Sequence, residues 1–345
     1  MLKAAVSDNA DKFREVKAAE GLFDDEVIYV STQGNRIGLD GGRIVVTTTD
    51  KQETVSSFPV EKVRTVNVFG NISVSTPFLA SCGKTGVSVN YFSSYGKYLG
   101  SFVPEQNTIA EIRRRQASLG NEEALGIARA IVGAKIRNSR TLLARKKVRP
   151  PERLKDLEAN AHSADNMNQL RGIEGEAAAL YFGSLDECLI EGWTFEKRTR
   201  RPPQDHINSL LSLTYAMMQN EVMSALRQYN LDPFIGIMHT DRHGRPALAL
   251  DLMEEFRPIF CDAFAIRLVN QHILDHDDFT AENRLKEHAL KKYLSHFDGY
   301  MKETFMHPKF RYTVSRRRAV VMQAILLRKA IVGEMKRYHP LVFMR

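Results

Sequence analysis

Between about Glu26 and Pro104, apolar residues come in short β-branched runs. Val27–Ser31, Arg36–Leu39, Arg43–Thr47, Val63–Phe69, Val87–Phe92 and Tyr98–Val103 predict six strands. Gly34-Asn35 and Asp40-Gly41-Gly42 read as the turns between the first three, and Ser75–Gly83 reads as a helix. After Pro104 apolar residues recur at the three- and four-residue spacing of helices. This predicts helices over Ile109–Ser118, Glu122–Lys147, Pro151–Ala161, Met167–Ile190, Asp205–Tyr229, Leu248–Leu274, Ala281–Tyr300 and Thr313–Arg337. Prolines interrupt the pattern at Arg198–Pro203 and again from Asp232-Pro233 to Pro246. The expected class is α+β, with a small β-rich N-terminal domain followed by a larger all-helical catalytic domain. The expected boundaries are an extension at 1–22, a β domain at 23–104 and a helical domain at 105–345.

Length and composition narrow the picture. The chain has 345 residues, 43% of them hydrophobic, enough for two cored domains. Forty-nine Lys and Arg against 41 Asp and Glu give a net charge of +8, which favours a nucleic-acid partner without requiring one. Cys82, Cys188 and Cys261 are widely spaced, so neither a disulfide framework nor a zinc cluster is expected. The first twenty residues lack an apolar signal core, and there is no apolar run of membrane-spanning length. A cytoplasmic protein without a membrane partner is expected.

Three segments could carry chemistry. Glu174 stands on the Met167–Ile190 helix beside the apolar stripe of Ile173, Ala177, Leu180 and Tyr181, while Glu176 points to roughly the opposite side. A carboxylate next to small apolar residues suits a metal ligand, although the pattern also describes two solvated glutamates. His239 ends the apolar run Phe234–Met238, which would fix its ring, but a histidine in a surface turn reads the same way. Asp251, Glu254 and Glu255 fall at i, i+3 and i+4, one face of a helix opposite Leu248, Leu252 and Phe256. A divalent cation or a base such as Arg257 would relieve their repulsion. Two carboxylates and an imidazole are hard ligands that suit Mg²⁺ or Mn²⁺ better than structural zinc. The pair His239 and His243 lacks the helix a zinc pair needs, and Asp275–Asp278 reads as a helix cap. No phosphate-binding glycine loop or nucleophile elbow occurs.

Basic clusters at Arg113–Arg115, Arg145–Arg149, Lys197–Arg201, Lys291-Lys292 and Arg316–Arg318 would together make a track for a phosphate backbone. Lys135, Asn138 and Arg140 are further candidates on one helix. Lys135, Arg200, Arg201, Arg245 and Arg257 are the expected nucleic-acid contacts.

Four ordered motifs resemble the CRISPR-associated endonuclease/integrase family that captures spacers. They are Leu170–Gly175 with Ala178, Tyr181 and Phe182; Arg201–Ser212 with Tyr215; Leu231–His239; and Leu248–Pro258. The strands ending in Phe92-x-x-x-Gly-x-Tyr-x-Gly100 match as well. The likeness spans about residues 23 to 338. The chain departs from the family pattern in its first 22 residues and in having Ile-Met, not aromatic-Leu, before His239. The resemblance implies Glu174, His239 and Glu254 as ligands for Mg²⁺ or Mn²⁺, with Asp251 as a nearby catalytic acid. It implies a homodimer formed through the β domain and a small ferredoxin-like adaptation partner. It also implies insertion of short foreign DNA fragments into a CRISPR array by 3′-hydroxyl attack on a phosphodiester. A non-catalytic DNA-binding architectural protein is the alternative.

Overall fold

The computed structural model describes residues 26–48, 50, 53–104, 109–200, 202–240 and 242–343. The expected extension at 1–22 and Arg201 lie outside them. The chain forms two compact units. One holds the described part of Met1–Thr108 with Leu285–Asp298, and the other holds Ile109–Arg284 with the described part of Gly299–Arg345.

The N-terminal unit carries two four-stranded sheets. Strands β1 (Glu26–Val30), β5 (Val63–Phe69), β7 (Ser88–Phe92) and β8 (Tyr98–Phe102) lie in that order, parallel except for the antiparallel β7–β8 pair. The second sheet runs β4 (Thr54–Pro59), β3 (Arg43–Thr47), β2 (Arg36–Asp40) and β6 (Ser73–Val74). Ile28, Val30, Ile37, Ile44, Val66, Val68 and Val89 come from both sheets and share one core with Phe78 of helix α1 (Thr76–Thr85). The β2–β3 turn takes positive φ at both Gly41 (52°) and Gly42 (76°), which the right-handed twist of a tight hairpin demands and which glycine adopts without strain. Strand β4 was not expected. Its Ser56-Ser57 centre breaks the alternation, and it is an edge strand with no fully buried residue.

The larger unit is mostly helical. Its helices are α2 (Ala110–Ala117), α3 (Asn121–Arg145), α4 (Arg153–Ser163), α5 (Met167–Gly183), α6 (His206–Gln228), α7 (Ala247–Met253) and α8 (Ala263–Asn270). Along the chain come helix α9 (Glu287–Lys302), which belongs to the first unit as far as Asp298, then a hairpin of β9 (Thr304–Met306) and β10 (Thr313–Ser315) and helix α10 (Arg316–Ile331) of the larger unit. Helix α3 is the centre of this unit, with Ala128, Ile131, Val132 and Leu143 all fully buried.

The single helix expected over Leu248–Leu274 is broken. Helix α7 stops at Met253, and Arg257–Asp262 forms a widened π-helical turn before α8. Pro258 has no N–H to continue the four-residue ladder. The bonds stretch to five residues: Ala263 N donates to Pro258 O, and Cys261 N reaches Phe256 O at 3.4 Å. The break separates the acids that a continuous helix would have kept on one face.

Candidate active site

Helix α5 starts where the Asn166 side chain accepts hydrogen bonds from the backbone N–H groups of Asn168 (3.1 Å) and Gln169 (3.0 Å). It buries Leu170, Ala177 and Tyr181, which places Glu174 on the inner border and Glu176 outside. Glu176 is exposed and pairs with Arg153 at 2.8 Å. The inner carboxylate meets the ammonium of Lys135, from the middle of α3, in a hydrogen-bonded ion pair. Lys135 Nζ also lies 2.6 Å from Oε2 of Glu254, just past the end of α7. One lysine therefore bridges the two carboxylates that the sequence singled out.

Glu254 is buried, with 4% of its side chain exposed. Its other oxygen stands 3.2 Å from Arg257 Nε. Glu254 Oε2 and Arg257 Nε are both buried without a hydrogen-bond partner, so these close charges are not aligned as hydrogen bonds. Burial pushes the Glu254 carboxyl up. The charges of Arg257 and Lys135 outweigh it, His239 adds to them, and the group is held well below the ordinary carboxylate range. Burial alone would pull the Lys135 ammonium down, but Glu254 and Glu174 raise it above the ordinary lysine range. The site is thus two carboxylates, from α5 and from the end of α7, facing one ammonium.

His239 is fixed from below. The buried carboxylate of Asp251 on α7 accepts hydrogen bonds from the N–H groups of Ile237 (2.7 Å), Met238 (3.0 Å) and His239 (3.0 Å). His239 Nδ1 stands 2.5 Å from the same carboxylate. Four contacts use both oxygens, so Asp251 orients the loop and its histidine instead of facing a ligand. The remaining ring nitrogen, Nε2, is the one left to bind. Arg171 of α5 donates to Met238 O at 2.6 Å, joining the histidine loop to the helix that carries Glu174.

Glu255 does not join the acidic face. After the break it turns inward and accepts from Tyr338 Oη (2.6 Å) and Leu341 N (2.6 Å). Burial raises its carboxyl to about 8 against these donors. Among the described residues, no three His, Cys, Asp or Glu side chains are grouped so as to hold a metal ion as they stand. The expected ligands Glu174 and Glu254 are brought together, with His239 near enough to act on Glu254. A lysine ammonium fills the position between the carboxylates.

Several expected nucleic-acid contacts are turned inward. Lys135 is the bridging cation. Arg257 lies over the Tyr215 ring at 4.7 Å, where its charge is used by Glu254. Asn138 donates to Glu255 O and Leu341 O, and Arg140 pairs with Glu158 at 2.5 Å. Arg317 is buried against Glu221 at 3.1 Å, and Arg316 pairs with Glu303, so the Arg316–Arg318 cluster is not a surface track. Arg200 is exposed and Arg245 half-exposed, as a phosphate contact requires.

One functional-looking network escaped the sequence. Asp262, buried at the end of the π turn, accepts from Tyr215 Oη (2.6 Å) and Tyr181 Oη (2.7 Å). Burial raises it to about 6, with both tyrosines and the arginines at 257 and 198 opposing. It backs the Arg257 that faces Glu254. The available signal was a lone acid in the apolar run Ile259–Ile266.

Comparison with known proteins agrees with this architecture. The family model described as CRISPR associated protein Cas1 matches residues 28–299. A protein of Methanospirillum hungatei named CRISPR-associated endonuclease Cas1 4 is 54% identical over 340 residues, covering 99% of this chain and 98% of that protein. A solved CAS1 protein from Thermotoga maritima superposes with a TM-score of 0.78 at 26% identity, over 93% of this chain and 99% of the other. A casposase bound to its integration product shares the fold, with a TM-score of 0.81 at 18% identity, over 92% and 94% of the two chains. The long family match and the near full-length relative together place this chain in the CRISPR-associated Cas1 family.

Proposed function

We propose that this chain is a metal-dependent DNA endonuclease and integrase that inserts short DNA fragments into a CRISPR array. The observation that carries the reading is the Lys135 ammonium set between Glu174 and Glu254 beside a histidine held by Asp251. A buried carboxylate held ionised by the cations around it, with an oxygen lacking an aligned donor, fits a cation. Glu174, Glu254 and His239 Nε2 would hold Mg²⁺ or Mn²⁺, with Lys135 giving up its place. Such an ion supplies Lewis-acid activation of a hydroxyl and charge stabilisation at a phosphodiester.

The chain's own residues do the positioning. Asp251 keeps His239 Nδ1 occupied and so directs Nε2. Arg257, pinned between Tyr215 and Glu254, keeps the Glu254 carboxylate charged. Once displaced, Lys135 is a cation within reach of phosphate oxygens. In strand transfer the incoming 3′ oxygen forms a new P–O bond, the old P–O bond breaks to release a 3′-hydroxyl, and the attacking proton leaves to solvent or a base. Arg200, Arg201 and Arg245 are proposed backbone contacts. Relatives named as CRISPR-associated endonucleases, and the fold shared with an integration complex, support this reading. Family membership supports a homodimer and a small ferredoxin-like adaptation partner.

The test joins a 3′-hydroxyl DNA fragment to a repeat-bearing plasmid with Mn²⁺ or Mg²⁺. Wild type should join it, and Glu254→Ala and His239→Ala should each lose at least about a hundredfold. Calorimetry should show Mn²⁺ uptake by wild type and not by Glu254→Ala. Salt-sensitive DNA binding with no turnover under any divalent ion would leave only the architectural role.

A further inference from the structure

A second constellation lies in the same unit, away from the carboxylates. Helix α3 ends at Arg145, ten residues beyond Lys135, or about 15 Å along the axis. There a cavity of about 430 Å³ opens between the ends of α3 and α8, lined among others by Arg145, Lys146, Arg267, Arg316, Tyr300 and Phe343. Among the described residues that line it, four are cations and none is acidic.

These cations are held in place. Arg316 lies over the Tyr300 ring at 3.8 Å and donates to Tyr300 O at 2.8 Å. Glu303 orients two of them, with Arg267 at 2.5 Å and Arg316 at 2.8 Å. Gln271 accepts from Arg267 Nε at 3.1 Å, and Arg145 lies over the Phe343 ring at 5.0 Å. Lys146 is half-buried, and burial together with Arg267 lowers its ammonium below the ordinary range.

Helix ends attract cations, and two meet here, each supplying about half a negative charge. Glu303 adds one more. Even with Arg145 left out, three cations face about two negative charges, in a cavity large enough for more than water. Two half-buried guanidinium groups fixed by carboxylate and aromatic partners match the forked geometry that phosphate accepts. The geometry points to a second anion site in this unit, separate from the active centre, that takes the phosphate groups of a nucleotide or of a nucleic-acid strand end.

Only the strand-end source rests on the proposed function. Calorimetry of the full chain in divalent-free buffer should show one pyrophosphate bound per chain. Arg145→Gln/Lys146→Gln should weaken it at least tenfold, and Arg145→Lys/Lys146→Arg should keep it. In wild type, pyrophosphate should protect Lys146 from amine acetylation, read by mass spectrometry, and leave the exposed Lys147 reactive. Glu254→Ala, which removes the proposed chemistry, should bind pyrophosphate like wild type, so failure of one reading is distinguishable from failure of the other. Displacement by deoxyadenosine monophosphate identifies a free nucleotide as the source, and displacement by a 5′-phosphorylated single strand alone identifies a strand end. No uptake by wild type, undiminished uptake by the Gln double variant, or equal acetylation of Lys146 with and without pyrophosphate overturns the site.

Discussion

Asp251 holds His239 twice, through the ring Nδ1 at 2.5 Å and through the backbone N–H at 3.0 Å. A fully buried carboxylate that also collects two further N–H groups cannot be replaced by an amide without turning at least one donor toward another. Asp251→Asn should therefore leave the fold in place and cost about 10–100-fold in strand transfer and in Mn²⁺ affinity, the range seen when a ligand's supporting partner is lost. Wild-type activity and affinity in the purified variant would remove Asp251 from its orienting role.

Lys135 bridges Glu174 and Glu254. Lys135→Met leaves two facing carboxylates, and breaking a buried pair costs about 3–5 kcal/mol. In a chelator the melting temperature should fall by several degrees, and added Mn²⁺ should restore much of the loss. A melting temperature that drops and does not respond to Mn²⁺ would separate Lys135 from any metal position.

Asp262 predicts a pH dependence of stability. Its folded value, about 6, lies above the ordinary 3.8, so the folded state binds the proton more tightly than the unfolded chain. Stability from this group is full below about pH 3.8 and is lost as pH rises through 6, by about 3 kcal/mol across the window. Asp262→Asn should flatten the curve of unfolding free energy against pH between those values. A slope unchanged from wild type, measured by denaturant titration, would contradict the assignment.

Glu174 and Glu176 are two residues apart on one helix and should behave as opposites. Glu176 is exposed and pairs with the exposed Arg153, so Glu176→Ala should leave both melting temperature and DNA joining near wild type. Glu174→Ala should abolish joining. Equal loss in both would mean that the inner and outer faces of α5 are assigned wrongly.

Much of this was readable from residue pattern. The split between a β-rich N-terminal region and a helical remainder follows from two periodicities, because alternation and helical spacing bury different sets of side chains. The Gly41-Gly42 hairpin was readable because only one backbone geometry suits it. Glu174 stood out as an acid bordering an apolar stripe, and Glu254 as one of three acids spaced to share a helix face opposite Leu248, Leu252 and Phe256. Strand β4 was hidden because an edge strand has little buried face to mark it. Asp262 was hidden because an acid's partners, Tyr181 and Tyr215, lie 81 and 47 residues away.

Local pattern therefore determined most of the strands and helices, though not β4 or the break after Met253, and it determined that Glu174 borders an apolar stripe and where the histidine loop interrupts the helices. Those properties depend on neighbours within a few residues. Only the tertiary structure decided that Lys135 and Arg257 face inward to Glu254, that Glu255 turns away to anchor Tyr338 and Leu341, and that Asp251 supports His239 instead of joining it. A charge's role depends on which opposite charge is within a few ångströms in a low-dielectric interior, and packing of distant segments alone sets that distance.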